Sequence, residues 1–238
     1  MEKALSLTPG QAAKASSASL KRFDAVYIGS ETCQNLLASR ADVDSLASRF
    51  KGKLVLSTAL LDEPALENAL SLAGHAAKKF GYDRIEVAVN DYGFLSELRR
   101  EHKGRMKVSA GRLMMLNILG VWRQIDAPYL TYLAENFGVS ALEADNPYYL
   151  YKRGPQAPFA VHFHYPLRLL ATTRYCAYSD KFPACGRLCR DRQLKLKNPQ
   201  LRDGFIVSFN NGYYMRGKAF SHPLITRTVH TPAARKGA

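Results

Sequence analysis

No apolar run in the sequence approaches the roughly 20 residues needed to span a bilayer, so no membrane-crossing helix is expected. The first residues, Met1-Glu-Lys-Ala-Leu-Ser-Leu-Thr-Pro-Gly10, lack the long apolar core of a secretory signal, which points to the cytoplasm. No Gly-x-Gly-x-x-Gly follows the first strand, which argues against a dinucleotide-binding fold, and there is no Walker phosphate loop. Gly-x-Ser-x-Gly and His-Glu-x-x-His are also missing. A hydrolase needs a nucleophile held against an oriented base, and no spacing here singles one out. No segment repeats, which excludes a solenoid. Acid is scarce late in the chain. From Arg168 to Ala238, 14 Lys and Arg face only Asp180, Asp191 and Asp203, so +11 of the whole-chain net of +14 lies there. Such an excess suits an anionic partner, RNA among them, or balances an anionic metal cluster.

What is present is a regular alternation. Buried strands are expected at Phe23–Ile28, Lys53–Thr58, Arg84–Val89, Met106–Ala110, Val139–Ala144 and Phe159–His164, each apolar along most of its length. Helices are expected at Gln11–Arg22, Thr32–Phe50, Glu63–Phe80, Gly93–His102 and Pro128–Phe137. Strands that recur every 20–30 residues, roughly, with helices between them indicate βαβ units and a mainly parallel sheet. The 238 residues, 47% hydrophobic, suffice for one large core. The expected fold is α/β, a TIM-like (β/α) barrel over residues 1–225, incomplete or open at its C-terminal end, followed by a basic flexible tail at 226–238. Phe205 to Met215 reads as a hairpin turning at Asn211-Gly212.

In such a barrel, chemistry gathers at the C-terminal ends of the strands. Glu31, Cys33, Ser57, Asn90, Asp91, Ser109, Glu143, His162 and His164 fall at those ends. His162 and His164 alternate on one strand and so share a face; as interior residues they need only be hydrogen-bonded, and at a barrel mouth they would meet a substrate. Asn90, Asp91 and Asn117 suit ligand binding or, equally, capping and turns. Tyr148-Tyr149-Leu-Tyr151-Lys-Arg153 and Tyr213-Tyr214-Met-Arg216 mix aromatic and basic side chains, which can stack on bases, though a half-buried loop and hairpin explain them as well.

The most specific pattern is the cysteines. There are only four: Cys33, then Cys176, Cys185 and Cys189 within 14 residues. In a reducing compartment such thiols bind metal or catalyse rather than pair as disulfides. Structural zinc sites use two close pairs, whereas here one ligand stands alone, a spread closer to a cubane cluster on four thiolates. Arg174, Lys181, Arg187 and Arg190 lie beside the thiols in sequence and would stabilise an anionic cluster. Four unrelated buried cysteines are the plainer alternative.

Tyr27-Ile-Gly-Ser-Glu-Thr-Cys33, Leu56-Ser-Thr58 and the Cys176/Cys185/Cys189 cluster together resemble the collagenase-like peptidase family (unassigned peptidase family thirty-two), and most closely its ubiquinone-biosynthesis branch, the UbiV-like members. The resemblance covers most of residues 3–220. It implies a [4Fe-4S] cluster, with zinc as the lesser alternative, on Cys33, Cys176, Cys185 and Cys189. It implies a heterodimer with a UbiU-like paralogue and a part in oxygen-independent hydroxylation during ubiquinone synthesis. Other relatives hydroxylate RNA bases, and the family name also raises peptidase activity. The basic C-terminal third, the short Cys176–Cys185 loop and the lack of a clear last strand–helix unit depart from that pattern.

Overall fold

The computed structural model describes residues 1–115, 127–147, 159–173, 176, 178, 185–186, 189, 192–201 and 204–232. Eight parallel strands close a barrel: β1 (Glu2–Leu7), β2 (Ala25–Gly29), β3 (Lys53–Ser57), β4 (Ile85–Val89), β5 (Lys107–Ala110), β6 (Val139–Ala144), β7 (Ala160–Tyr165) and β12 (Ile225–His230). They pair in that order, and β12 closes the ring by lying between β7 and β1. The barrel is therefore closed, not open at its C-terminal end. The closing strand lies where a flexible tail at 226–238 was expected. Residues 225–230 are too polar to read as a buried strand alone, and pairing on both sides supplies what their side chains do not.

Between β7 and β12 the chain builds a second sheet. It is antiparallel, in the order β8 (Leu167–Thr172), β11 (Gly212–Arg216), β10 (Phe205–Phe209), β9 (Leu194–Lys197). The expected hairpin is its β10–β11 pair, but it turns one residue earlier than expected, at Asn210-Asn211 with positive φ of 50° and 65°, and Gly212 already pairs with Phe209 in the strand. Leu167, Leu169, Val207, Phe209 and Tyr214 form its own small core, into which Leu113, just past β5, inserts. Leu113 thus pins the inserted sheet over the C-terminal end of the barrel.

The helices follow their local signals. α1 (Pro9–Lys14) starts with a capping box, Thr8 accepting from Gln11 N–H while the Gln11 side chain accepts from Thr8 N–H. The single helix expected over Gln11–Arg22 breaks at Ser16, whose side chain caps α2 (Ser17–Leu20). The one expected over Thr32–Phe50 also splits. A 3₁₀ turn (Gln34–Leu36) follows Cys33, and the Ser39/Asp42 capping box starts α3 (Arg40–Arg49) afresh. α4 (Glu63–Phe80), capped by Asp62, turns a stripe of Ala69, Leu70, Leu72, Ala73, Ala76 and Ala77 inward; the alanines let it lie close to the strands. α5 (Tyr92–His102) is capped by Asp91, and α6 (Ala127–Phe137) precedes β6. No helix among the described residues is long and apolar enough to cross a membrane.

The outer strand faces carry the main core. Val26, Ile28, Leu54, Leu56, Ile85, Val87 and Val89 pack there against the helices. The bore differs. A separate small cluster of Ala4, Ala25, Tyr27, Val55, Ala88 and Val229 lines it, interrupted by buried charge. The strands are thus apolar on the helix side and small or ionic on the inner side, with the period of two that a strand imposes.

Candidate functional site

Two ionic clusters fill the bore. At the N-terminal end, Arg227 on β12 reaches across to Glu86 on β4, the strand opposite in the ring, at 2.6 Å, and to Glu2 at 2.6 Å. Lys53 adds contacts of 2.5 Å to Glu2 and 3.6 Å to Glu86. Arg227 also donates to the Tyr27 hydroxyl at 3.2 Å. Burial alone would weaken the Arg227 charge, but Glu86 and Tyr27 reverse the effect and raise its pKa.

Tyr27 leads into the second cluster. Its hydroxyl donates to Glu143 on β6, again the opposite strand, at 3.1 Å. Glu143, 2% exposed, also accepts from Ser109 at 2.5 Å, His162 Nδ1 at 2.9 Å and His164 Nε2 at 2.6 Å. Burial would push this carboxyl up; the charge and hydrogen bonds of His162 and His164 outweigh burial and hold it well below the usual carboxylate range. Burial, followed by the nearby Glu143 charge, pushes the Tyr27 phenol well up. An ionised Glu143 only accepts, so His164 carries its proton on Nε2. The shared face of His162 and His164 is thus directed at one buried carboxylate. Tyr27, hidden in an apolar run, carried no functional signal in the sequence; its hydroxyl partner lies 116 residues away.

Above Glu143, at the mouth, Arg112 binds Glu31 through Nε at 2.8 Å and through Nη2, Asp145 at 2.9 Å and the Leu167 carbonyl at 2.7 Å. Asp145 also accepts from Leu169 N–H at 2.6 Å, which ties the inserted sheet to the barrel. A cavity of about 30 Å³ lies here, lined by Ser57, Glu31, Arg112, His164 and Thr231 from the barrel and roofed by Phe209, Asn210 and Tyr214. Gly29 ends β2 at φ 127°, and a side chain there would strike the Ser57 carbonyl, so the mouth depends on a glycine. Neither Arg112 nor Asp145 stood out in the sequence, because each is a single charge past a strand end.

The other strand-end candidates do structural work. Asn90, 2% exposed, donates to the Thr58 carbonyl at 2.6 Å and accepts from Leu113 N–H at 2.8 Å. Asp91 caps α5. Tyr214 is buried under Thr32 and Arg112, so it offers no stacking face to solvent. Arg174, Lys181, Arg187, Arg190, Asn117 and the Tyr148–Arg153 stretch lie outside the described residues.

Cys33 stands four residues past the end of β2, on the C-terminal side of the barrel, with Asn211 of the inserted sheet 3.9 Å from its sulfur. Burial pushes its thiol up to about 11. Backbone N–H groups of Asn35 and Leu36 pull the other way, and the charges of Cys185 and Cys189 add to the rise. Tyr178 is raised by burial and then by the charges of Cys189 and Cys176. Cys33 is therefore near enough to sense Cys185 and Cys189, Tyr178 senses both Cys189 and Cys176, and none of the four thiols forms a disulfide. Among the described residues, no three His, Cys, Asp or Glu side chains are close enough to chelate an ion as they stand. The donors are of the right kind for a thiolate-bound metal, and Cys33, raised first by burial, lies near Cys185 and Cys189 without forming a chelating group with them as they stand.

Beside Cys33 a groove of about 560 Å³ opens between the N-termini of α3 and α4, lined by Gln34, Arg40, Asp62, Asn68 and Leu72. That is the size of a small-molecule site. Several of its polar groups are already paired: Gln34 with Asp62 at 2.6 and 2.9 Å, and Arg40 with Ser71 at 2.5 Å. The chain matches no protein-family model, no curated protein and no solved structure.

Proposed function

We propose that this chain is an iron–sulfur protein of the UbiV-like kind, working with a UbiU-like paralogue in oxygen-independent hydroxylation of a ubiquinone precursor. The observation that carries the reading is Cys33: a strand end delivers it to the C-terminal side of the barrel, within electrostatic reach of Cys185 and Cys189. Cys33, Cys176, Cys185 and Cys189 would hold the cluster. A bound cluster supplies one-electron transfer beside the mouth of the barrel. The chain's own residues supply a rigid ring of strands, a partly buried Cys33 and a groove next to it for substrate or partner.

Anaerobic purification should give a brown protein with about four irons per chain, the content of a cubane on four thiolates. Cys33→Ser should lose the iron as fully as Cys185→Ser while the circular dichroism stays unchanged. A colourless protein with one zinc overturns the cluster. Full iron in the Cys33 variant removes Cys33 from the ligand set.

RNA-base hydroxylation is the second reading, and one surface favours it. β9 is exposed along its whole length, and Lys195 and Arg216 lie 4.9 and 5.6 Å from the centre of the Phe205 ring. A basic surface of this kind suits single-stranded nucleic acid. Steep loss of RNA binding with added salt supports it, and no retention on RNA at low salt rejects it.

A further inference from the structure

β9 is the outermost strand of the inserted sheet, and among the described residues it pairs with β10 alone. All four of its residues are exposed, Leu194 at 37% and Leu196 at 42%. Residues directly opposite one another in an antiparallel pair share a face. Lys195 stands opposite Val207 and Lys197 opposite Phe205, on the face that packs over Leu113. Leu194 and Leu196 stand opposite Ser208 and Ile206, on the face turned away from the barrel. Tyr213, opposite Ser208, continues that outer face and is half-buried, as is Ile206. An antiparallel sheet with one covered face ordinarily turns polar residues to water. On β9 the leucines face water and the lysines line the rim of the small core, the reverse of that pattern. We propose that the β9 edge is a docking site for an extended acidic segment of a partner protein, which joins the inserted sheet as an added strand. The site stands apart from the cysteine centre and does not depend on it.

Backbone, apolar surface and charge together select that occupant. An edge strand presents a row of N–H and C=O groups, and another extended backbone matches them. Lysines on an edge discourage pairing with a like strand. A second copy of β9 would set Lys195 and Lys197 against their own counterparts, whereas an acidic strand turns the same lysines into cross-strand ion pairs. From Pro166 to Leu224 the described residues carry Arg168, Arg192, Lys195, Lys197, Arg216 and Lys218 and no acid. The nearest feature to Lys195 is the Phe205 ring, 4.9 Å from its nitrogen to the ring centre, which leaves the charge open to a carboxylate. Nucleic acid would engage the cations and leave the leucines bare. A lipid surface would take cations and leucines but leave the backbone edge unpaired. A peptide strand uses all three. The strand period of two then sets the partner's pattern: acidic residues across from Lys195 and Lys197, apolar ones across from Leu194 and Leu196.

The probe is a fluorescein-labelled heptapeptide of alternating valine and glutamate, followed by anisotropy with the full-length protein. One comparison peptide has the same composition with its glutamates in a single block; another is N-methylated at each backbone nitrogen. The alternating peptide should bind saturably, and both comparison peptides at least about tenfold more weakly. Leu196→Asp and the double variant Lys195→Glu/Lys197→Glu should each weaken binding at least about tenfold. Circular dichroism and the melting temperature should stay unchanged, because the replaced side chains are exposed. The double variant should in turn bind a heptapeptide of alternating valine and lysine, which a merely disrupted strand would not do. Absence of saturable binding overturns the proposal, as does equal binding of the block peptide or full binding by Leu196→Asp. Tighter binding of poly(U) RNA or of anionic phospholipid vesicles than of the alternating peptide also overturns it, since the surface then reads phosphate.

Discussion

The two ends of the barrel bore use the same ingredients to different ends. At the N-terminal end, Arg227 and Lys53 meet Glu2 and Glu86, two cations against two carboxylates. Arg227, the most buried of these, spends its contacts on Glu86 across the ring, on Glu2 of the neighbouring strand and on Tyr27. At the C-terminal end Glu31, Asp145 and Glu143 are met by Arg112, His162 and His164, and a cavity of about 30 Å³ remains beside them. Tyr27 joins the two, accepting from Arg227 below and donating to Glu143 above. A cluster matched across the ring braces it; one beside a void leaves space at the mouth. That division agrees with the way parallel barrels keep stability at one face and chemistry at the other.

The sharpest way to break the comparison is at its closed end. Arg227→Met leaves Glu86 buried without its main partner, and removing one member of a buried ion pair costs about 3–5 kcal/mol. Urea denaturation should show that loss. Adding Glu86→Leu should recover most of it, because an apolar pair of similar volume replaces a buried ionic one at little cost. A loss below about 1 kcal/mol in the single variant would mean that the closed end is not a brace.

Glu143→Gln tests the open end and should cost less, about 1–3 kcal/mol, since an amide keeps the shape and one acceptor. Its signature is in pH. Glu143 has a depressed pKa when folded, so its contribution is present above the ordinary carboxylate value and is lost as pH falls through the folded value. Stability of the native protein should therefore fall on acidification more steeply than that of Glu143→Gln, measured by urea midpoints from neutral pH downward. Parallel acid limbs would sink the assignment of a buried, ionised Glu143.

How far this was legible from sequence follows from where the partners lie. Strands such as Lys53–Ser57 and Ile85–Val89 were readable because their apolar runs are continuous and local. The pairing of His162 with His164 on one face was readable from the strand period. β12 was not. Its inward Arg227 looks like a solvated tail until Glu86, 141 residues away, and Glu2, 225 away, arrive to match it. The breaks at Ser16 and Ser39 were readable in principle, from a capping serine and from a Ser-x-x-Asp box, but each lay within a stretch of helical composition. The four-cysteine order was visible at once; the mouth cavity was not, because it needs the β10–β11 turn to roof strands that precede it by up to 200 residues, roughly.

The smallest effect should come from Lys53, and it sharpens the contrast by marking where the closed cluster meets water. Its side chain is 36% exposed, as is much of Glu2 at 34%. An ion pair at that depth gains little over solvation and is screened by salt. Lys53→Met should therefore cost less than about 1 kcal/mol at low ionic strength, and the difference from the native protein should vanish in concentrated salt. The loss in Arg227→Met should survive the same salt, because Arg227 and Glu86 sit where mobile ions do not reach. If salt erased both losses alike, the Arg227 cluster would be a surface feature, and the distinction between a sealed end and an open end of the bore would fail with it.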